Sequence, residues 1–453
     1  MLTSRLLPAL CLSIAGLCMS PVFGAEDGAT RVVVQGNTLE DFFTAALEYS
    51  PELRISRERW NIGTARRRAT NGQLLPQINA NASLSDNKQL ANSVGVTNRY
   101  NGERYSVQLS QVLFNWQAFN ARSQAYLLED QAEADYYAQL AFVLTDVADR
   151  YFAVLQSEDA VISIHSEFDA VSRQLNQIET LYNLQSAQIT DLYNAQARLA
   201  AVQAEQLNLE SELDIAKEAL RAASGVNVGD LFRLDEGATV PNVQGSVESW
   251  LEQARSGNFQ IRARQFAVEA ADKLIAQRQG AYMPRVSLIA QQQRSDIGYD
   301  NTQQPYRTDT TFVGVDVSIP LFAGGSNRAS VSEARSQRSI TENELRQTEL
   351  EVVQRTRTAY LQVKASELRV NAAQRLADST ELSYTAMQRG FELGTVNSVD
   401  VLNALRDRFS AERDLQRARY DLIRYNLLLK RDAGTLSADD LLEIGTWLST
   451  PQN

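Results

Sequence analysis

Two aspartates, Asp191 and Asp400, stand in matching surroundings, which makes them the first candidates for a chemical role. The motif ITDLYNA holds Asp191 and the motif SVDVLNA holds Asp400, 209 residues further along the chain. Each motif follows a polar break between two long helical patterns. Two roles stay open at this point: the carboxylate complements the dipole of the helix that it opens, or it supplies negative charge to a functional turn.

The rest of the composition argues against most kinds of catalytic site. Both cysteines, Cys11 and Cys18, lie within the first 24 residues, and His165 is the single histidine. The sequence beyond that segment therefore has no thiol nucleophile and too few histidines for a metal site or a triad. It also lacks an HExxH motif, a nucleophile elbow and a glycine-rich phosphate loop. We expect no enzymatic activity, no cofactor and no metal, and the net charge of −11 argues against nucleic-acid binding.

The N-terminus has the pattern of a cleaved secretory signal. Arg5 precedes an apolar run, and Val22 and Gly24 stand at −3 and −1 for cleavage before Ala25. Residues 1–24 are therefore predicted to be a signal peptide. No later stretch reaches the ~18 uncharged apolar residues that a transmembrane helix needs.

The chain carries an internal tandem repeat. Pro76 pairs with Pro284 at a distance of 208 residues, and Gly225 pairs with Gly434 at 209, like the two aspartates. Because such pairs extend over almost the whole exported chain, they indicate a duplication.

Each copy shows the same order of elements, in which helical periodicity alternates with period-two segments. The first copy, 25–225, is predicted to contain a helix at 38–72, strands at about 76–86 and 103–114, a long helix at 117–185, a turn at 184–190 and a final helix. The second copy, 246–434, is predicted to contain a helix at 246–280, strands at about 284–294 and 310–320, a long helix at 326–393, a turn at 393–398 and a final helix.

The helix lengths predict parallel rods. At about 1.5 Å per residue the long helix spans on the order of 100 Å, which matches the two shorter helices placed end to end. A seam with coiled-coil spacing supports side-by-side packing in both copies. Its positions are Leu199, Val202, Gln206, Leu209, Leu213, Ala216 and Leu220, and then Ala411, Leu415, Ala418, Leu422, Tyr425 and Leu429.

The four strands are too few for a closed barrel, since the smallest membrane barrels use about eight. Strands of membrane-spanning length with aromatic residues near their ends are typical of part of an outer-membrane barrel that an oligomer completes. Two other interpretations stay open. One is a pair of hairpins resting on a helical bundle, and the other is a soluble periplasmic coiled-coil protein with a structural or interaction role.

The order of elements and several motifs resemble the TolC family of outer-membrane channels. The resemblance covers nearly the whole exported chain, and its most specific residues are SIPLFAGG after the strands, the two turn motifs and GTLSADDLL near the C-terminus. It implies an α+β membrane protein that forms a homotrimer. Each chain contributes four strands to a 12-stranded outer-membrane β-barrel, which a long periplasmic α-helical barrel continues. The segments 226–245 and 435–453 would form an equatorial belt.

The resemblance also implies a function. Such a protein is a passive exit duct in the outer membrane of a Gram-negative cell, used for drug efflux or type I protein secretion. Its partners are outer-membrane lipid, a periplasmic adaptor (membrane fusion) protein and an inner-membrane ABC or proton-driven pump. Docking of the adaptor and pump opens the duct at its periplasmic tip, which the two turns would form.

The same resemblance assigns roles at the tip. Asp400 would contribute an acidic ring at the inner constriction, where it favours cations, and Asp191 would lie at the equivalent turn of the other hairpin. Six turn residues would meet the adaptor: Leu184, Gln185, Ser186, Leu393, Gly394 and Thr395.

Four positions at or near the predicted tip depart from the family pattern, and Val112 stands in place of the strand-exit proline of copy one. Phe391, Val396 and Asn403 stand where the family has a tyrosine, an arginine and a second aspartate. These side chains lack the hydroxyl, the guanidinium and the charge of the usual gate, so the usual bonds to Asp191 cannot form. Gln185 replaces the tip glycine of copy one, so we expect that turn to avoid or tolerate a positive φ.

Overall fold

The computed structural model describes residues 35–91, 96–235, 243–299 and 306–449. The predicted signal peptide, 1–24, lies outside these ranges, and so does part of each predicted belt segment. The described helices are α1 (Leu39–Tyr49), α2 (Pro51–Gly72), α3 (Trp116–Asn183), α4 (Ile189–Ser224), α5 (Val247–Gly257), α6 (Phe259–Gln279), α7 (Ser326–Glu392), α8 (Ser398–Asp432) and α9 (Ala438–Thr446). The described strands are β1 (Gln35–Gly36), β2 (Gln77–Ala91), β3 (Val96–Asn115), β4 (Asn227–Val228), β5 (Arg233–Leu234), β6 (Arg285–Tyr299), β7 (Tyr306–Ser318) and β8 (Leu448–Ser449).

The segment predicted as one helix at 38–72 is two helices, so that prediction was wrong. α1 begins after Thr38, whose side chain caps it, but α1 ends at Tyr49. Ser50 has a ψ of 115° because the ring of the following Pro51 disfavours a helical conformation there. Pro51 then opens α2, a position where its missing N–H costs no hydrogen bond.

The segment predicted as one helix at 246–280 is also divided, at Asn258. The Asn258 Oδ1 accepts hydrogen bonds from two backbone nitrogens in the first turn of α6, at 2.9 and 3.3 Å. Its Nδ2 donates to the carbonyl oxygen of Asp432 at 2.9 Å, which fixes this break against the end of α8. In copy one the Tyr49 ring, at the end of α1, packs on Gly225 after α4. The packing is so close that a Cβ on Gly225 would lie 2.5 Å from the ring. Both breaks therefore pack against the end of the last helix of their copy.

One antiparallel sheet contains the four long strands in the order β2-β3-β6-β7. The strands run from 13 to 20 residues and exceed the predicted lengths, because the ladder continues into connections that were predicted as polar loops. Backbone pairing does not require apolar side chains, and the ion pair between Arg99 and Asp86, at 3.5 Å, supports the extended part of β2 and β3. β2 and β7 are the edge strands of this sheet.

The long helices lie side by side in columns, in the same order as the strands β2, β3, β6 and β7 of the sheet. α3 and α7, with 68 and 67 residues, each span about 100 Å. α3 packs against α2 and α6 in its first half and against α4 and α8 in its second, while α7 packs against α6 and α8. The columns of helices therefore lie in the order α2 with α4, then α3, then α6 with α8, then α7. No helix in the described ranges is long and apolar enough to cross a membrane.

The packing seam predicted from sequence is confirmed. Val202 and Leu220 of α4 are buried, as are Ala411, Ala418 and Leu429 of α8. The remaining seam positions are at least partly covered. The alternation of three and four residues therefore identifies the faces that α4 and α8 turn toward their neighbours.

The largest apolar cluster lies around the middle of α3 and near the end of α8. Tyr151 and Tyr420 are its largest fully buried side chains. The Tyr151 hydroxyl donates to the carbonyl oxygen of Phe232 at 2.9 Å, and the Tyr420 hydroxyl donates to Asp159 Oδ2 at 2.6 Å. The short pairs β1–β4 and β5–β8 and helix α9 surround this cluster. They hold the middle of the long helices in place.

Candidate functional site

The two faces of the four-stranded sheet differ in polarity. One rung of directly opposed residues is apolar and consists of Ile78, Leu109, Ala290 and Val313. A rung on the other face is polar and consists of Asn81, Ser106, Gln293 and Thr310. Ile78 and Val313 are each 69% exposed, so the described chain leaves its apolar face uncovered. A sheet with one apolar and one polar face, and with both edges open, suits a wall between lipid and water.

At the opposite end of the long helices, the two predicted tip turns have nearly the same geometry. α3 ends with hydrogen bonds from the Ser186 nitrogen to the Leu181 oxygen and from the Gln185 nitrogen to the Tyr182 oxygen, both at 2.8 Å. α7 ends with the equivalent pair, donated by Thr395 and Gly394 at 2.8 and 2.9 Å. Both ends are Schellman motifs, which require a left-handed residue after the helix.

The left-handed residue is a glycine in one turn and a glutamine in the other. Gly394 has a φ of 75° and Gln185 a φ of 58°, and Gln185 alone among the described non-glycine residues has a positive φ. The turn of copy one therefore tolerates the strained conformation and does not avoid it. A left-handed residue with a side chain costs about 1–2 kcal/mol, so this turn holds strain that its twin does not.

The two aspartates occupy the same place in their helices but differ in their contacts. Each is the third residue of its helix, Asp191 in α4 and Asp400 in α8. Asp191 Oδ2 accepts a hydrogen bond from the Gln188 nitrogen at 3.4 Å and is half-buried. At Asp400 the backbone nitrogen donates to Asn397 Oδ1 at 2.8 Å, and the carboxylate is exposed. Asp191 therefore has a local structural role, whereas the Asp400 carboxylate is available to solvent or to another chain.

The three residues that depart from the family gate pack or face solvent within this chain. Phe391 packs against an apolar cluster between the hairpins, and Val396 lies over Gly390, where an added Cβ would be 2.5 Å from its Cγ2. Asn403 is exposed. The six turn residues assigned to adaptor docking lie at the surface, with Leu184 and Leu393 the most prominent at 68% and 79% exposure. The gate and docking roles of all these residues stay predictions.

An apolar cluster joins the two helical hairpins behind the turns. We call it the hairpin cluster; its buried members are Ile164, Val171, Ile178, Leu192, Ala195, Val202, Leu402, Leu405 and Phe409. They come from α3, α4 and α8, so burial of apolar side chains holds the hairpin α3–α4 against the hairpin α7–α8.

A buried ion cluster, which the sequence analysis missed, lies beside the hairpin cluster. The Glu167 side chain on α3 is 1% exposed. Arg413 of α8 donates from Nη1 to Glu167 Oε2 at 3.0 Å, and Arg198 of α4 binds the other carboxylate oxygen. Three helices from two hairpins therefore meet at one carboxylate, and a buried carboxylate needs such partners. The sequence signal is only a glutamate on the covered face of a helix, while Leu376 stands 209 residues later.

Comparison with known proteins agrees with this architecture. Residues 43–226 and 250–435 match the family described as "Outer membrane efflux protein", one match for each copy of the repeat. The chain belongs to this family. Membership confirms the predicted outer-membrane location in a Gram-negative cell and the predicted role as an exit duct.

Curated relatives in the outer membrane efflux protein family align over most of their length. The chain is 27% identical to the outer membrane protein TolC of Escherichia coli (strain K12), with 92% of this chain and 86% of that protein covered. It is 25% identical to the alkaline protease secretion protein AprF of Pseudomonas aeruginosa, with 89% and 85% covered.

Solved structures share the fold. The outer membrane protein VceC of Vibrio cholerae superposes with a TM-score of 0.74 at 18% identity, covering 87% of this chain and 96% of that one. The CmeC outer membrane channel of Campylobacter jejuni gives a TM-score of 0.75 at 16% identity, covering 90% and 89%. The predicted fold class, an α+β outer-membrane chain with four long strands, long helices and an internal repeat, is confirmed.

Proposed function

We propose that three copies of the chain close into a passive duct that has no catalytic role. The observation that carries this proposal is that the sheet and the helical layer both have two open edges. The sheet ends in the strands β2 and β7, each of which has one edge without a partner strand in the described chain, and the helical layer ends in the columns of α4 and α7. Twelve strands from three chains suffice for a closed barrel, whereas four from one chain do not.

The edge helices support closure by further copies, because both carry apolar side chains that the chain itself leaves uncovered. On α7 these are Leu350, Leu361, Leu368, Leu376 and Leu382, and on α4 they are Tyr193, Leu207 and Ile215. Each of these side chains is at least half exposed. Exposed apolar stripes of this length are typical of helices that pack against a partner. A neighbouring copy would cover the α7 stripe with its α4.

The duct would serve a tripartite export system. In this proposal a periplasmic adaptor (membrane fusion) protein and an inner-membrane ABC or proton-driven pump dock at the tip turns and open it. Relatives support both drug efflux and type I protein secretion: one is named as an alkaline protease secretion protein, and another as the outer membrane efflux protein BepC. The pump, rather than this chain, would select the exported substrate.

Copurification tests this proposal. The chain, extracted from outer membranes in mild detergent after crosslinking, is expected to carry an adaptor and a pump with it. Leu393→Asp with Leu184→Asp is expected to reduce their recovery while leaving the trimer intact. Leu442→Asp, which makes the same type of substitution once at an exposed leucine of α9, is the control. Recovery of the chain without partners, or equal recovery in both variants, would count against docking at the turns.

A further inference from the structure

We propose that Arg67, Arg122 and Tyr126 form a binding site for the phosphate of an anionic phospholipid in the periplasmic leaflet of the outer membrane. This inference rests on the proposed placement of the sheet in that membrane. One such site would be present in each chain.

The site lies on the same side of the molecule as the apolar face of the sheet. Phe114 is opposite Val286, so its side chain belongs to the apolar face. The Phe114 ring contacts the Phe119 ring edge to face, with 6.2 Å between centroids. The apolar face therefore continues onto the side of α3 that carries Phe119. Arg122 and Tyr126 follow at spacings of three and four residues, so they lie on the same side of α3.

The depth of the site matches a phospholipid headgroup. Arg122 is the seventh residue of α3 and lies about 10 Å beyond Asn115, the end of β3. The polar layer on each side of a bilayer is on the order of 5–8 Å thick. Helical side chains lean toward the N-terminus of their helix, so Arg122 leans toward the sheet and shortens this distance. Long arginine side chains reach such an interface readily.

Two guanidinium groups flank one aromatic ring at this site. The Cζ atoms of Arg67 and Arg122 lie 5.1 and 5.6 Å from the centroid of the Tyr126 ring. The Asn71 Nδ2 donates to the Tyr126 hydroxyl oxygen at 3.4 Å. Hydrogen bonds from Asn71, Arg122 and Arg67 lower the pKa of Tyr126 to about 8. No described hydrogen bond uses the proton of the hydroxyl itself, so the hydroxyl can donate it to a phosphate oxygen.

The local charge leaves room for one anion. Glu129 forms an ion pair with Arg67 and neutralises its charge. Burial and the charge of Glu129 raise the pKa of the neighbouring Asp130, and the charge of Arg262 only partly opposes this. Arg122 forms no ion pair with any residue of the described chain, and Arg68 on the adjoining turn is exposed and also unpaired there.

A second polar atom at the site also lacks a partner. The Asn71 Oδ1 is buried without a hydrogen-bond donor among the described residues. A buried acceptor of this kind costs free energy unless a donor fills it. A glycerol headgroup supplies hydroxyl donors next to its phosphate, which favours phosphatidylglycerol as the probe. In copy two, Ile275 stands 208 residues after Arg67, so the duplication did not preserve the site.

Native mass spectrometry of the delipidated trimer tests the proposal. Phosphatidylglycerol, phosphatidylcholine and inorganic phosphate are added separately, and the bound molecules per trimer are counted. Wild type is expected to retain up to three molecules of phosphatidylglycerol and markedly less phosphatidylcholine. Arg122→Gln is expected to lower phosphatidylglycerol affinity about tenfold, the effect of removing one charge-assisted hydrogen bond. Arg122→Lys, which restores the charge, is expected to recover most of the affinity.

The matched control is Arg173→Gln, an exposed arginine on the same helix far from the sheet, which is expected to bind lipid like wild type. Equal lipid retention in wild type and Arg122→Gln would overturn the proposal. Binding of inorganic phosphate as tightly as phosphatidylglycerol would also overturn it, because the site would then be a site for free anions. Channel conductance of the same samples tests the proposed duct separately from the lipid site. A trimer that conducts but binds lipid without preference would contradict the lipid site alone.

Discussion

Arg413 of α8 and Glu167 of α3, which lie 246 residues apart in the chain, form an ion pair at 3.0 Å in the interior of the helical layer. Arg198 of α4 binds the same carboxylate. Together with the hairpin cluster, this ion pair joins the two hairpins behind the turns, while the Tyr420–Asp159 hydrogen bond joins α8 to α3 nearer the middle of the long helices.

Glu167→Gln is expected to loosen the hairpins. Loss of the charge leaves two arginines facing each other, and a broken buried pair costs on the order of 3 kcal/mol, the lower end of the usual range because both arginines are partly exposed. Hydrogen exchange of the α8 amides around Arg413 measures the free energy of local opening. Glu205→Gln, at an exposed position on α4, is the control. Unchanged exchange in Glu167→Gln would contradict a role of this ion pair in holding the hairpins together.

Substitutions of the left-handed residue in the two turns are expected to have opposite effects. Gln185→Gly removes the strain of a left-handed glutamine and is expected to stabilise its turn by about 1 kcal/mol. Gly394→Val places a branched side chain at a φ of 75° and is expected to destabilise the other turn by at least as much and to lower export. Limited proteolysis at the turns, together with an export assay, measures both. Equal resistance of the two variants would contradict the strain assigned to Gln185.

Asp400→Asn is expected to reduce the cation preference of the conducting channel several-fold. The Asp400 carboxylate is exposed, and three copies in a narrow pore would create a strong negative field. Reversal potentials in planar bilayers under a salt gradient measure the preference. Asp169→Asn, which removes an exposed carboxylate from α3, is the control. The same reversal potential in wild type and Asp400→Asn would exclude the acidic ring.

The stability of the α9 region is expected to depend on pH through Asp440. Burial alone would raise the pKa of Asp440, but hydrogen bonds from Lys430 and Ser437 outweigh it and lower the pKa. A carboxyl with a lowered folded pKa stabilises the fold above its unfolded pKa of about 3.9, and the contribution is lost as pH falls through the folded pKa. Asp440→Asn is therefore expected to be less stable than wild type at pH 7, with the difference shrinking below about pH 4.

Denaturation of both proteins at several pH values tests this expectation. Asp439→Asn, at the neighbouring exposed position, is expected to follow wild type throughout. A difference between Asp440→Asn and wild type that persists undiminished into acid would contradict the assigned linkage.

The sequence predicts most of the fold because its signals are periodic or repeated. The seam through Val202 and Leu220, the lengths of α3 and α7 and the two turns all follow from spacing and duplication. The break at Asn258 was missed because the helical patterns on either side are continuous in sequence, and the break at Ser50 was missed although Pro51 marks it. The ends of the strands were missed because polar residues there pair through their backbones.

The candidate site is predicted less well, for a different reason. A motif marks Asp191 and Asp400, but it does not show that Asp191 accepts from the Gln188 nitrogen of its own turn while the Asp400 carboxylate is exposed. Glu167 carries no motif at all, since its role depends on Arg198 and Arg413 from two other helices. Contacts between distant elements decide the role of Glu167, and no spacing in the sequence marks them.

The most direct test of the proposed duct is the mass and conductance of the chain extracted from outer membranes. We expect a detergent-soluble homotrimer of the 50.4 kDa chain less its predicted signal peptide, which forms ion-conducting pores in planar bilayers. A monomer recovered from the soluble periplasm, or a trimer that never conducts, would contradict the account.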